Sequence, residues 1–430
     1  MAIDLPRMSF KVDKKGRRLE PKILNILFVH PNFPGQFKQL ISSLKQHANV
    51  RLAFITSKQD AQCDDVQIFT YSAPSEEVQV GHPYLRSLNR DMSGAQEVTK
   101  TAMALNSSGF VPAVVIGHIG WAGLMFIKNV FPDAKVIAYT EWFYKWQNSW
   151  EHFSGEPLNM HQKTSTQMLN ATSLLGLENA DVSVTPTQWQ RSVFPKMHQR
   201  NMHVIHEGID TQVCQSKERT SLVVPGCNLP KEAKIVTFIS RSMEPARGFF
   251  SFMEAASKLC KLDPEIQFVV VGRPRSAYSA STGDGPSYKE QALKKYDCDW
   301  SRVHFCGKLR YEHYLQVLQN SSVHVHLSMP LFLSWSCLEA MACECAIVGS
   351  SNAPVNEVIE HDVNGRLINF FDAQAIVAQV QELLGDRETS KRLGAAARQT
   401  VLSRYESNDC VSQWKDLILR QINEHYPELV

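Results

Sequence analysis

Short runs of apolar, largely β-branched residues alternate with longer helical stretches along the chain. That rhythm leaves few folds open. Residues 23–29 (ILNILFV) form such a run, closed by the turn His30-Pro31-Asn32-Phe33-Pro34-Gly35, and a helix is expected from about Gln36. A short apolar run ended by a Pro/Gly turn reads as a strand buried on both faces, as in a parallel sheet. The pattern recurs at 51–56, 113–117, 135–139, 181–185 and 202–205, the last leading into His206-Glu207-Gly208-Ile209-Asp210. Around 212–232 it lapses into polar, turn-forming sequence, and a second series starts. Strands are expected at 234–240, 268–271, 303–305, 323–327 and 346–348, with helices at 249–262 and 336–342 between them. From about Asp372 to His425 the apolar spacing is helical. The expected fold is α/β: two Rossmann-like, doubly wound parallel-sheet domains in series, residues 23–212 and 213–407, behind a polar lead-in at 1–22. Such sheets bind ligands beyond the carboxyl ends of their strands, so the informative residues should follow strands.

Composition narrows the function. The 45 Lys and Arg nearly cancel 43 Asp and Glu, which argues against a nucleic-acid partner. Met1-Ala2-Ile3-Asp4 leads into a basic stretch, neither a signal peptide nor a membrane span, and no run of about 18 apolar residues occurs. Ten scattered cysteines then read as reduced thiols, so a cytoplasmic location is expected. Cys343 and Cys345 lack zinc-site spacing. Lys14, Lys15, Arg17 and Arg18 are a solvated lead-in in preference to a membrane-surface patch.

Three places carry chemistry. After the strand at 234–240 stand Arg241 and Arg247-Gly248, two guanidinium groups flanking a turn. Such a fork suits a diphosphate, although arginines near a turn are commonly plain surface charges. After the strand at 323–327, Ser334-Trp335-Ser336 precedes good helix formers, and a helix from near Ser336 would offer free N–H groups to an anion. Glu339 lies one turn inside it. Its carboxylate suits two vicinal hydroxyls, as a ribose presents, or merely complements the helix dipole. Trp142, Trp146 and Trp150 are spaced to share one helix face, with core packing favoured over a stacking platform for a sugar. His324 and His326 alternate with valines and read as packed side chains. Asp297-Cys298-Asp299 precedes a strand, where a solvated turn is expected and not a metal site.

Glu339-Ala340-Met341-Ala342, Ala346-Ile347-Val348-Gly349, Asn356-Glu357-Val358 and Asn364-Gly365, in that order, resemble the donor-site signature of retaining GT-B glycosyltransferases of family 4. Arg241…Arg247-Gly248 resembles that family's diphosphate clamp, Gly272 its glycine after the next strand, and Phe305-Cys306-Gly307-Lys308-Leu309 its base-contacting loop. Gly35 matches the glycine of the first loop. His118 falls where the family places an active-site histidine. Ala180-Asp181…Thr185-Pro186-Thr187 and His206–Asp210 resemble the approach to the hinge. The wording of His30–Phe37 (HPNFPGQF), Leu333–Ser336 (LSWS) and LEAMA is similar to a bacterial subgroup. The likeness runs from about 23 to 425.

The resemblance implies an N-terminal acceptor domain, a C-terminal nucleotide-sugar donor domain, and a last helix, about 408–430, packing back on the first domain. It implies a hexosyltransferase-type enzyme using a UDP- or GDP-linked sugar as co-substrate and a hydroxyl acceptor in glycan, glycolipid or glycoconjugate synthesis. No cofactor and no metal are expected. His118 is the expected catalytic residue. The donor contacts are Gly35, Arg241, Arg247, Gly272, Leu309, Ser334, Trp335, Ser336 and Glu339. The acceptor side falls to His30, Glu141 and Trp142. Peripheral contact at the inner face of a membrane is compatible with such acceptors. Two departures stand out. Arg247 replaces the clamp lysine, and Leu331 stands where the family carries a first glutamate. Without that carboxylate, front-face retention is expected, and a degenerate nucleotide-sugar-binding or partner-regulating protein stays open as the alternative. A nicotinamide dehydrogenase is disfavoured because the first loop has a single glycine and two prolines.

Overall fold

The structure, a computed structural model, describes residues 23–73, 82–274, 276–277, 279 and 282–423. The lead-in 1–22 and the end of the expected last helix lie outside them. The first apolar run becomes β1 (Leu24–Val29), and β2 (Val50–Thr56), β3 (Val66–Thr70), β4 (Val114–His118), β5 (Lys135–Tyr139), β6 (Val182–Thr185) and β7 (Met202–Val204) follow. Their order in the sheet is β3-β2-β1-β4-β5-β6-β7, all parallel. β4 and β5 are buried along their whole length, as the uninterrupted apolar runs require. β3, with Gln67 and Thr70 in it, is the strand of this sheet that the apolar pattern does not announce.

The stretch read as polar linker carries a small hairpin, β8 (Leu222–Val224) and β9 (Cys227–Leu229), whose apolar side chains join the core of the second sheet. That sheet holds β10 (Lys234–Ser242), β11 (Ile266–Arg273), β12 (Val303–Gly307), β13 (Val323–His326), β14 (Ile347–Ser350) and β15 (Arg366–Ile368), in the order β12-β11-β10-β13-β14-β15. Both sheets therefore reverse direction of winding beside their first strand. Two crevices result, between β1 and β4 and between β10 and β13, where doubly wound sheets take ligands.

Between β10 and β11 the helix Phe249–Leu262 buries Phe249, Phe252, Met253, Ala256 and Leu259, a three- and four-residue stripe laid on the sheet. Gly248 starts it at φ +71°, and a Cβ there would come within 2.3 Å of Leu327, so the turn carrying Arg247 presses against the end of β13. The chain crosses between the domains at Ile209 and again at Glu406. The two crossings pair: Ile209 N–H donates to Tyr405 O at 2.7 Å and Ser407 N–H to Ile209 O at 3.0 Å. A Cβ on Gly208 would lie 2.6 Å from Ser407 Cα, so the close approach needs glycine. The helix Ser407–Asn423 then lays Val411, Trp414, Leu417, Ile418 and Ile422 into the core of the first sheet.

Candidate active site

A cleft of about 900 Å³ opens between the domains. One wall is the carboxyl edge of the second sheet and carries Arg241, Gly272, Leu309, Ser334, Trp335, Ser336 and Glu339. The facing wall supplies Gln36, Lys38 and Gln39, and the hinge adds Glu207 to Asp210. The helix beginning this wall runs Trp335–Ala342, one residue earlier than its sequence suggests, with Ser334 at the N-cap. Ser334 makes no capping bond with its side chain; its hydroxyl pairs with that of Ser336 at 2.8 Å. The first turn thus has no side-chain cap, and Ser334, Trp335 and Ser336 line the cleft.

Glu339 is held by two residues that the sequence reading did not single out. Tyr311 O–H donates to its Oε1 at 2.8 Å and Tyr314 O–H to its Oε2 at 2.5 Å. Burial raises the Glu339 carboxyl above its usual range, while the two tyrosines pull the other way. The Cys214 thiol also reaches Oε1 at 4.0 Å, while Oε2 retains a second acceptor direction. Tyr311 and Tyr314 are spaced i, i+3 on the helix Tyr311–Gln319, which starts just past the Lys308–Leu309 loop. That spacing was the signal available in the sequence.

Arg247 does not line the cleft. It is 5% exposed, donates to Ser328 Oγ at 2.8 Å and lies 5.3 Å from the Phe332 ring. Arg241 is exposed and does line it. The two arms of the expected clamp therefore sit at different depths. Gly35 is not on the cleft wall either. At φ +58° it packs on His30, whose ring a Cβ would meet at 2.8 Å.

His118 ends β4 at the first crevice. Its Nδ1 accepts from Gly120 N–H at 2.9 Å, so a neutral ring carries its proton on Nε2, 3.4 Å from Glu141 Oε2. Gln36 Nε2 reaches the other oxygen of Glu141 at 3.5 Å, and Gln190 Nε2 fixes the Glu141 carbonyl at 2.8 Å. His30 stands edge-on to His118, 5.6 Å between ring centres, and Trp121 covers both at 4.8 and 4.3 Å. Burial, then the neighbouring His118, lowers His30 to about 3. It is a neutral packing partner near pH 7.

The tryptophans are not on one helix. Residues 141–145 have no regular secondary structure; Trp146 begins a short 3-10 turn and Trp150 the helix Trp150–Ser154. Trp142 meets Phe332 of the other domain edge-on at 6.3 Å. Trp150 and Phe153 pack on Phe370 and Phe371 at 5.0 to 6.2 Å. This arm of the first domain is docked on the second, and Leu331 belongs to the contact. It is buried with Ala246 and Met329 against Trp142, Trp150, Phe153 and Phe332. Its carbonyl accepts Trp189 Nε1–H at 2.9 Å. Beside it, Glu357 accepts Gln188 and Trp189 N–H, both at 2.9 Å, across the domain boundary.

At the hinge, Glu207 is buried and receives Trp335 Nε1–H at 3.2 Å, lies 3.2 Å from His206 Nε2, and accepts the Tyr139 hydroxyl. Burial lifts its carboxyl to about 7 and holds His206 down at about 3. The histidines of β13 are buried, His324 bonding Thr237 Oγ1 through Nδ1 at 2.9 Å. Asp299 caps the turn Trp300–Arg302, and Asp297 pairs with Lys261 at 2.9 Å. Among the described residues no helix is long and apolar enough to cross a membrane.

Residues 48–214 match the family description "Glycosyl transferase family 4 group", and residues 226–400 match "Glycosyl transferases group 1". Both halves of the chain are glycosyltransferase domains. The N-acetyl-alpha-D-glucosaminyl L-malate synthase of Bacillus anthracis is 25% identical over 59% of the chain. The chain spans 63% of that relative's length. The glycosyltransferase domains superpose on sucrose-phosphate synthase of Thermosynechococcus elongatus with a TM-score of 0.67, at 14% identity, over 93% of this chain and all of that one. They also superpose on Anabaena HepE in complex with UDP-glucose with a TM-score of 0.64, at 16% identity, over 92% of this chain and 99% of that one. The expected GT-B arrangement of two glycosyltransferase domains facing a cleft is what the structure has.

Proposed function

We propose that this chain is a retaining glycosyltransferase that takes a sugar from a UDP- or GDP-linked donor lying along the C-terminal wall of the cleft. The observation that carries the reading is Glu339. A carboxylate oriented by two tyrosines, beside a side-chain-uncapped helix N-terminus and Arg241, matches a nucleoside diphosphate part by part. The carboxylate takes the two ribose hydroxyls. Arg241 and the N–H groups at Trp335 and Ser336 take the diphosphate. Arg247, deeper, acts on the diphosphate through the field of its buried charge and by fixing Ser328. Leu309 borders the base, and Gly272 leaves room on the wall. HepE, solved with UDP-glucose, is a neighbour of like architecture.

In the reaction the acceptor oxygen bonds to the anomeric carbon on the face that the diphosphate leaves. The carbon–phosphate-oxygen bond breaks, and a phosphate oxygen receives the acceptor's proton. The positive groups on the wall stabilise charge on the departing diphosphate, a term worth a few kcal/mol per contact. No metal is required for this. His118, whose Nε2–H faces Glu141 at the end of β4, orients the sugar and the acceptor together with that carboxylate. Cytoplasmic location, with acceptors presented at a membrane's inner face, fits this chemistry.

One observation favours a second reading, a protein that binds the donor without turning it over. The position of the first family glutamate is filled by Leu331, packed into the interdomain contact. Proton NMR of a UDP- or GDP-sugar incubated with the protein separates the two. Slow release of free sugar, appearing first as the donor's own anomer, supports the enzyme. An intact donor with every nucleotide sugar that binds supports the second reading.

A further inference from the structure

A carboxylate is buried at the hinge, and burying such a group is costly unless partners hold it. We propose that Glu207 is a positioning residue for the proposed transfer, clasping the Trp335 indole and so setting the first turn of the donor helix against the diphosphate. The inference rests on the donor lying along the C-terminal wall. Glu207 stands between β7 and the first crossing of the chain, and both it and Trp335 line the cleft. Its Oε2 accepts Trp335 Nε1–H at 3.2 Å, and its Oε1 accepts the hydroxyl of Tyr139, the last residue of β5. His206 Nε2 lies 3.2 Å from Oε2. The first sheet, the hinge and the donor helix thus meet on one carboxylate.

The backbone beside Glu207 is fixed. Gly208 N–H donates to His206 Nδ1 at 3.0 Å, and Gly208 packs so closely on the second crossing that a Cβ would lie 2.6 Å from Ser407 Cα. At the other end of the clasp, Trp335 is the first residue of the helix Trp335–Ala342, and Ser334 before it makes no capping bond with its side chain. The indole therefore ties this end of the helix to the hinge. With 44% of its surface exposed, Trp335 is held less by packing than a core residue is, and the bond to Glu207 sets its orientation. The N–H groups assigned to the diphosphate belong to Trp335 itself and to Ser336, so a shift of the indole shifts the donors. Such donors stabilise leaving charge best when they are fixed before it develops. Tyr139 extends the tie, its ring centre lying 5.4 Å from that of His118. A chain of contacts, His118 to Tyr139 to Glu207 to Trp335, thus joins the acceptor side of the site to the donor wall.

The test is calorimetric titration of UDP and of GDP into the full-length protein at pH 8, above the value of about 7 to which burial lifts the Glu207 carboxyl. Glu207→Leu and Trp335→Phe each remove one side of the bond. Each should weaken the nucleotide that the wild type binds by about tenfold, as loss of a bond to a charged group does. The double variant should be no weaker than either, because both act through one contact. Glu207→Gln keeps an oxygen for the indole and can turn its amide N–H to the Tyr139 hydroxyl, so it should restore most of the affinity. Trp335→Phe, at a half-exposed position, keeps the test decisive should Glu207→Leu not fold. Losses that add in the double variant, or a Glu207→Gln protein as weak as Glu207→Leu, overturn the inference. So does a Glu207→Leu protein that melts earlier yet binds normally, the mark of a merely structural carboxylate. A wild type that binds neither nucleotide overturns the proposed function and this inference with it. A wild type that binds, with Trp335→Phe binding equally well, overturns this inference alone.

Discussion

Glu339 shows how one side chain gains a role from its neighbours. Alone in sequence it is equally a helix-dipole carboxylate and a ribose ligand; in the fold Tyr311 and Tyr314 each hold one of its oxygens at the cleft wall. Leu331 shows the reverse: its side chain has been absorbed into a contact between domains. Glu207 carries a consequence that can be read in solution. Burial raises its carboxyl from 4.5 to about 7. The folded state therefore keeps a proton that the unfolded chain releases between those values, and stability falls as pH rises from about 4.5 through 7. The loss amounts to about 3 kcal/mol at most. His206, held neutral down to about 3, acts oppositely: the unfolded chain gains a proton below about 6.5, so stability falls on acidification. Comparing the wild type with Glu207→Gln isolates the first effect. Urea unfolding at pH 5 and pH 8 should show the wild type losing stability relative to the variant at the higher pH. Parallel behaviour of the two would show that Glu207 titrates in its ordinary range.

At the scale of elements, most strands and the helix at 249–262 were legible, because a strand buried on both faces has no polar residue to blur it. What was not legible is equally physical. β3 mixes polar Gln67 and Thr70 with apolar residues on a sheet edge. The tryptophan spacing at 142, 146 and 150 fits one helix, yet the segment is broken into an irregular stretch, a 3-10 turn and a short helix that reach across to Phe332, Phe370 and Phe371; tertiary contact overrode the local period. The clamp arginines are six apart in sequence, and nothing in that spacing tells that Arg247 is buried. Tyr311 and Tyr314 were visible only as an i, i+3 pair whose partner lies in another element. Glu357 is the element-scale contact most open to test. It caps the first turn of the helix Gln188–Val193 from the other domain, accepting two N–H groups. Glu357→Ala should cost about 1–2 kcal/mol, the usual worth of a lost cap. Chemical denaturation measures it, and no loss would mean that solvent satisfies those N–H groups equally well.

Across the whole molecule, two doubly wound sheets place their winding reversals on either side of one cleft, and the chain's two crossings are tied at Ile209 and Glu406. The last helix returns Trp414 and its neighbours to the first core, so the domains share one chain end as well as one site. Aromatic docking of residues 142–154 and the Trp189–Leu331 bond hold the walls together beside the cleft. Arg241, Gly272, Leu309, Ser334, Trp335, Ser336 and Glu339 were legible in the sequence and line the cleft, whereas Arg247 and Gly35 lie off it and Tyr311 and Tyr314 were not foreseen. The grip between the domains was not legible, because its partners are separated by about half the chain. The central claim is that a nucleoside diphosphate lies on the wall from Arg241 to Glu339. Calorimetric titration of UDP and of GDP into the wild type and Glu339→Ala tests it most directly. One nucleotide should bind the wild type and bind the variant at least about tenfold more weakly, as loss of hydrogen bonds to a charged group requires. Equal affinity in the two proteins, or no binding of either nucleotide, would contradict the account.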